Sequence, residues 1–81
     1  MASTEDWIET GGALERRFAF ASFAEAVDFV NRVAALAEAE NHHPDIDVRY
    51  REVTLRWTTH SASGITDRDR DLAARTDALA S

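Results

Sequence analysis

The spacing of hydrophobic and polar positions changes period along this chain, and each change marks a predicted element. Trp7 to Thr10 and Ala13 to Phe20 are β-prone runs separated by Gly11-Gly12. Paired glycines supply the positive φ angles of a tight turn, so the two runs predict a β-hairpin. In the second run Leu14, Phe18 and Phe20 share one face, while Glu15 and Arg17 share the other. Arg16 falls on the apolar face and breaks the alternation. Beyond it Phe23, Ala26, Val27, Val30, Val33, Ala34 and Ala37 recur at steps of three and four, the stripe of an amphipathic helix. Phe29 and Leu36 lie off that stripe, where they would widen it or face a partner chain. Ser22 with Glu25 three residues on forms a capping box at the helix start. Pro44 disfavours helical geometry in the residue before it, so the helix should end near Asn41.

From Ile46 onward the period becomes two. Ile46, Val48 and Tyr50 alternate with Asp47 and Arg49, and after a turn near Arg51-Glu52, Val53, Leu55 and Trp57 alternate with Thr54, Arg56 and Thr58. This predicts a second hairpin with one apolar and one polar face. Ser61-Ala62-Ser63-Gly64 reads as a loop. Thr66 and Asp69 then read as a cap for a last helix, with Leu72, Ala73, Thr76 and Leu79 inward and Asp71 and Arg75 as an i,i+4 pair. The order is β-β-α-β-β-α. Strands and helices that do not strictly alternate imply an α+β fold, an antiparallel four-stranded sheet with helices packed on one face. With no internal repeat or linker, residues 1–81 are expected to form a single domain, with residues 1–6 flexible.

Size and charge narrow the functional classes. A chain of 81 residues buries only about 60% of the surface its unfolded form exposes, so its core is thin. The sequence has no Cys, which removes disulfides, thiolate catalysis and cysteine-based metal sites. Self-association is the expected support. With 15 acidic and 9 basic residues the net charge is −6, which repels phosphate backbones, so no direct nucleic-acid binding is expected. No apolar run approaches the ~20 residues of a spanning helix. The acidic start Met1-Ala2-Ser3-Thr4-Glu5-Asp6 lacks the order of a signal peptide. A cytoplasmic location and no membrane partner are therefore expected. Every basic residue is Arg, which with the abundant Ala suggests a GC-rich bacterial genome.

The chemistry-bearing residues gather at element ends. His42 and His43 stand where the long helix gives way to a loop, followed by Pro44 and Asp45, and His60 stands at the end of the last strand. Histidine, with an ordinary pKa of about 6.5, can both give and take protons at neutral pH. Asp69, in the first turn of the last helix, is placed to orient an imidazole. A solvated surface role is the ordinary reading of one histidine. Three at element ends, two of them adjacent, favour a shared site. A metal centre is not expected, because adjacent histidines seldom converge on one ion and no H-x-x-x-H or H-E-x-x-H spacing occurs. Neither a G-x-S-x-G elbow nor a Gly-rich phosphate loop is present. The aromatics Phe18, Phe20, Phe23, Tyr50 and Trp57 are expected in the core and in strand pairs.

Taken together, Ala37-Glu38-Ala39-Glu40-Asn41-His42-His43-Pro44-Asp45, then Tyr50, Val53, Leu55, Thr59-His60, Gly64, Thr66 and Asp69 resemble the pterin-4a-carbinolamine dehydratases. Trp7 and the Phe18–Phe23 run also fit. The resemblance implies a hydro-lyase that converts 4a-hydroxytetrahydropterin to quinonoid dihydropterin and so recycles the cofactor of aromatic amino-acid hydroxylases. It implies catalytic His42, His43, His60 and Asp69, substrate contacts from His43, Pro44 and Glu38, and no cofactor. It further implies a homodimer joined by sheet edges, or a homotetramer joined through helices. Family members usually begin with an additional helix before the position of Trp7, and no such helix is expected in this sequence. They also commonly carry Gly where Ser63 stands.

A rival reading is a non-catalytic interaction module on the same fold. Relatives serve as a dimerisation cofactor for a transcription factor or as an assembly chaperone for a carboxylating enzyme. The chaperones tend to lack the histidine cluster, which this sequence keeps. An enzyme acting on another pterin-like metabolite is the third reading.

Overall fold

The computed structural model describes residues 6–80. The expectation for residues 1–6 therefore falls outside it, apart from Asp6. The elements are β1 (Ile8–Thr10), β2 (Ala13–Ala19), α1 (Phe23–Glu40), β3 (Asp45–Arg49), β4 (Glu52–Trp57), a short 3-10 turn (His60–Ala62) and α2 (Asp67–Ala80). The four strands form one antiparallel sheet in the order β1-β2-β4-β3. The predicted α+β order is the observed one.

Local chemistry explains the first half. Gly11 and Gly12 both have positive φ, 56° and 75°, which side-chain-bearing residues adopt only at a cost, so the hairpin closes where the glycines stand. Ser22 accepts the Glu25 N–H at 3.1 Å and starts α1 as the capping pattern requires. At the other end Asn41 is left-handed (φ 49°, ψ 45°), while the His42 N–H reaches back to the Ala37 carbonyl at 3.1 Å and the Asn41 N–H to Glu38. This is the αL reversal that usually takes glycine.

Phe18, Val53, Leu55 and Trp57 are fully buried between sheet and helices. The stripe that α1 turns inward differs from the predicted one: Ala26, Phe29, Val33 and Ala37 are buried, whereas Phe23 and Val27 are exposed. Phe29 decides the rotation. Its ring lies 4.8 Å from Phe18 and 5.0 Å from Phe20, a three-ring cluster that small Ala and Val side chains cannot match. Leu36 packs against the same core.

The second hairpin turns at Tyr50-Arg51, one residue earlier than expected. Tyr50 takes a positive φ of 55° and is exposed. Ile46 and Val48 pair with buried Leu55 and Val53 but stay partly exposed, because β3 is an edge strand beyond the cover of the helices. Tyr50 and Phe23 thus depart from the core role expected of them. Arg16 does lie on the helix side. Its guanidinium sits 4.3 Å over the Phe18 ring and donates to Asp77 of α2 at 2.6 Å.

Candidate active site

Two chain reversals build the site. The left-handed Asn41 ends α1 so that His42 turns under the end of the sheet, and Pro44 then feeds the chain into β3. On the other side β4 ends at Trp57, and Thr59 pairs with Gly64 across the short turn that carries His60. Between these segments lies a groove of about 450 Å³, lined by residues including His42, His43, Pro44, Asp45, Thr59, His60 and Arg68. All three histidines therefore meet at one surface.

They differ in how they are held. His42 is buried, with its ring parallel to the fully buried Trp57 ring at 5.8 Å between centres. Its Nε2 lies 2.7 Å from Asp69 Oδ1. Trp57 is fixed in turn by its Nε1–H, which donates to the Thr76 hydroxyl at 3.2 Å. His43 is half exposed, and its Nε2 meets the Glu38 carboxylate one helical turn back. The His60 side chain is exposed and has no hydrogen bond or ion pair among the described residues.

Asp69 is fully buried and outside the groove lining. Its Oδ2 accepts from the Thr59 hydroxyl at 2.7 Å and from the Thr66 N–H at 2.9 Å. The second contact is half of a capping box, in which the third residue of α2 reaches back to the cap residue. The predicted Thr66 cap thus exists, with Asp69 doing the accepting while the Thr66 hydroxyl turns to Thr59 at 2.7 Å. Burial pushes the Asp69 carboxyl toward the neutral form. Hydrogen bonds from Thr59, His42 and the Thr66 backbone, with attraction to His42, outweigh burial and hold its pKa below the ordinary value. An ionised carboxylate only accepts, so the His42 Nε2 carries a hydrogen and donates it. With that hydrogen held on Nε2, Nδ1 is the ring atom left to accept a proton.

The candidate residues thus fall into two sets. His42, His43, Pro44 and His60 line the groove, while Asp69 supports His42 and Glu38 reaches the groove only through His43. Sequence reasoning gave no role to Thr59, which braces Asp69, or to Arg68, which lines the groove and donates to the Glu40 carbonyl at 2.6 Å. Arg68 had a legible signal. A cation in the first turn of a helix opposes the helix dipole, so it stands there for a contact elsewhere. No group of three or more His, Asp or Glu among the described residues is arranged to hold a metal ion. No helix among them is long and apolar enough to cross a membrane.

An α+β domain with a carboxylate-backed histidine beside a polar groove is an arrangement suited to acid–base chemistry. The model of the pterin 4 alpha carbinolamine dehydratase family matches residues 1–79. A provisionally named pterin-4-alpha-carbinolamine dehydratase of Thermomicrobium roseum is 55% identical over 75 residues, 93% of this chain and 81% of the relative. One of Picosynechococcus with the same provisional name is 47% identical over 74 residues, 91% of this chain and 80% of its own. A transcriptional coactivator/pterin dehydratase from Brucella melitensis superposes with a TM-score of 0.89 at 32% identity, covering 93% of this chain and 82% of that one. A pterin dehydratase-like RuBisCO assembly factor of the alpha-carboxysome superposes at 0.82 with 34% identity, covering 95% and 92%. This chain belongs to the pterin 4 alpha carbinolamine dehydratase family.

Proposed function

We propose that the protein dehydrates 4a-hydroxytetrahydropterin to quinonoid dihydropterin in the cytoplasm, recycling the cofactor of a pterin-dependent aromatic amino-acid hydroxylase. The observation that carries this reading is the buried Asp69–His42 pair at the wall of a groove that His43 and His60 also line. In the reaction the C4a–O bond breaks and the hydroxyl leaves as water after gaining a proton. The N5–H proton is lost, and its electron pair completes the C4a=N5 double bond. One proton is given and one taken, so the chemistry needs an acid and a base and no electron acceptor. His42 and His60 supply that pair, with His42 suited to gaining the N5 proton at Nδ1 because Asp69 holds the hydrogen on its Nε2. Acid–base help of this kind is worth about 10²–10⁴-fold in rate. His43, steadied by Glu38, and Pro44 contact the ring.

Self-association belongs to the same proposal. Phe23 and Val27 on α1, and Ile46 and Val48 on β3, are exposed apolar surfaces for a homodimer or homotetramer. The likeness to the RuBisCO assembly factor motivates a second reading, a non-catalytic assembly role. Such a role needs the Asp69–His42 pair only as a link between helices, and makes no use of His43 and His60 at the same groove. The decay of enzymatically generated 4a-hydroxytetrahydropterin, followed by ultraviolet absorbance, separates the two. Acceleration by the wild-type protein that is lost in a His42→Ala/His60→Ala double variant is the expected result. A folded wild-type protein that gives no acceleration overturns the dehydratase reading.

A further inference from the structure

The groove contains a carboxylate for which the acid–base chemistry has no use. Of the three carboxylates near the histidines, Asp69 is buried and already accepts from His42, Thr59 and Thr66, and Glu38 is engaged by His43 outside the groove lining. Asp45 is different. It lines the groove, is exposed, and its side chain makes no hydrogen bond or ion pair among the described residues. Its cross-strand partner Arg56 does not neutralise it, because that guanidinium is committed to Glu15 and to the Thr10 carbonyl. Pro44, with its fixed φ, joins Asp45 rigidly to the histidine pair.

A pterin ring presents a matching surface. Its N3–H and 2-amino group form two parallel donors, the pattern that a carboxylate accepts in bidentate fashion. That edge lies across the pyrimidine ring from C4a, so the group that reads it must be separate from the histidines that act at C4a and N5. A groove of about 450 Å³ falls within the roughly 300–1,000 Å³ of small-molecule sites. Resting on the dehydratase reading, we propose that Asp45 is the specificity-determining residue for the pterin ring, accepting from N3–H and the 2-amino group. A 2-oxo ring carries a carbonyl in place of the amino group and turns one of those contacts repulsive.

The test is calorimetric binding of pterin and of lumazine, its 2-oxo counterpart, at pH 7. Wild-type protein should bind pterin about tenfold or more tighter than lumazine, the ratio expected for one charge-assisted hydrogen bond. Asp45→Asn should lose about tenfold on pterin and little on lumazine, and Asp45→Glu should keep the preference. An Asp45→Asn protein that binds pterin as tightly as wild type, with its preference intact, overturns the inference while leaving the dehydratase reading in place. Wild-type protein that binds both rings equally also overturns it. If wild-type protein binds neither ring, both fall.

Discussion

Asp69 Oδ1 and His42 Nε2 lie 2.7 Å apart in a buried pair that joins the first turn of α2 to the end of α1. Because Asp69 also accepts from the Thr59 hydroxyl and the Thr66 N–H, three short hydrogen bonds converge on one carboxylate, with the Thr66 hydroxyl a longer fourth at 3.3 Å. Asparagine has one acceptor oxygen and two N–H donors in the same space, so Asp69→Asn sets a donor against at least one of the three. His42 then loses the acceptor that fixes its tautomer. Turnover should fall on the order of a hundredfold, read as the rate of 4a-hydroxytetrahydropterin decay. Wild-type turnover in a folded Asp69→Asn protein would remove the pair from the mechanism.

The same carboxylate makes stability depend on acid. Its folded pKa lies below its ordinary value, so the native state favours the ionised form more than the unfolded chain does. The contribution is complete above the unfolded carboxyl pKa of about 3.9, declines as pH falls below it, and is gone beneath the folded value. Melting temperatures taken from pH 6 downward should therefore drop more steeply for wild type than for Asp69→Asn. Parallel curves would show that Asp69 does not take part in the acid transition.

The residues above were partly legible in the sequence, for identifiable reasons. His42, His43 and His60 could be grouped because their element ends are marked by Pro44 and by the Ser/Gly loop. Asp69 could be attached to them because it stands three residues after Thr66, where capping chemistry places a carboxylate. The inward face of α1 was not legible. Ala and Val occupy two adjoining stripes, and only the ring contacts of Phe29 with Phe18 and Phe20 choose between them. Nor does alternation in β3 reveal that its apolar side chains lie at a sheet edge, which depends on strand order. The groove itself is non-local. Arg68 enters it because α2 packs beside the end of α1, and no spacing rule connects Arg68 to Glu40.

Arg16, the misfit in the β2 alternation, supports the helix layer. Its guanidinium and the Trp7 indole N–H both donate to Asp77 Oδ1, at 2.6 and 2.8 Å. Asp77→Ala would leave a mostly buried guanidinium without this acceptor and release Trp7 from α2. A loss of about 1–3 kcal/mol is expected, measured as the midpoint shift in urea at unchanged slope. An unaltered midpoint would reduce the contact to a surface ion pair.

The loop bearing His60 offers a change in the opposite direction. Ser63 sits in the left-handed region at φ 56° while its N–H donates to the His60 carbonyl at 3.1 Å, closing the short turn. A side chain there carries a cost that glycine escapes, of order 1 kcal/mol. Glycine also gives the unfolded chain more freedom, which offsets part of the gain. Ser63→Gly should therefore raise stability by about 0.5 kcal/mol, a net of those two opposing effects. The Ser63 hydroxyl makes no hydrogen bond among the described residues, so nothing else is lost. Turnover should stay near wild type, since the backbone that places His60 keeps its shape. A lower melting temperature would show that the unfolded-state effect dominates, and a large fall in turnover would show that the turn depends on serine to hold His60 at the groove.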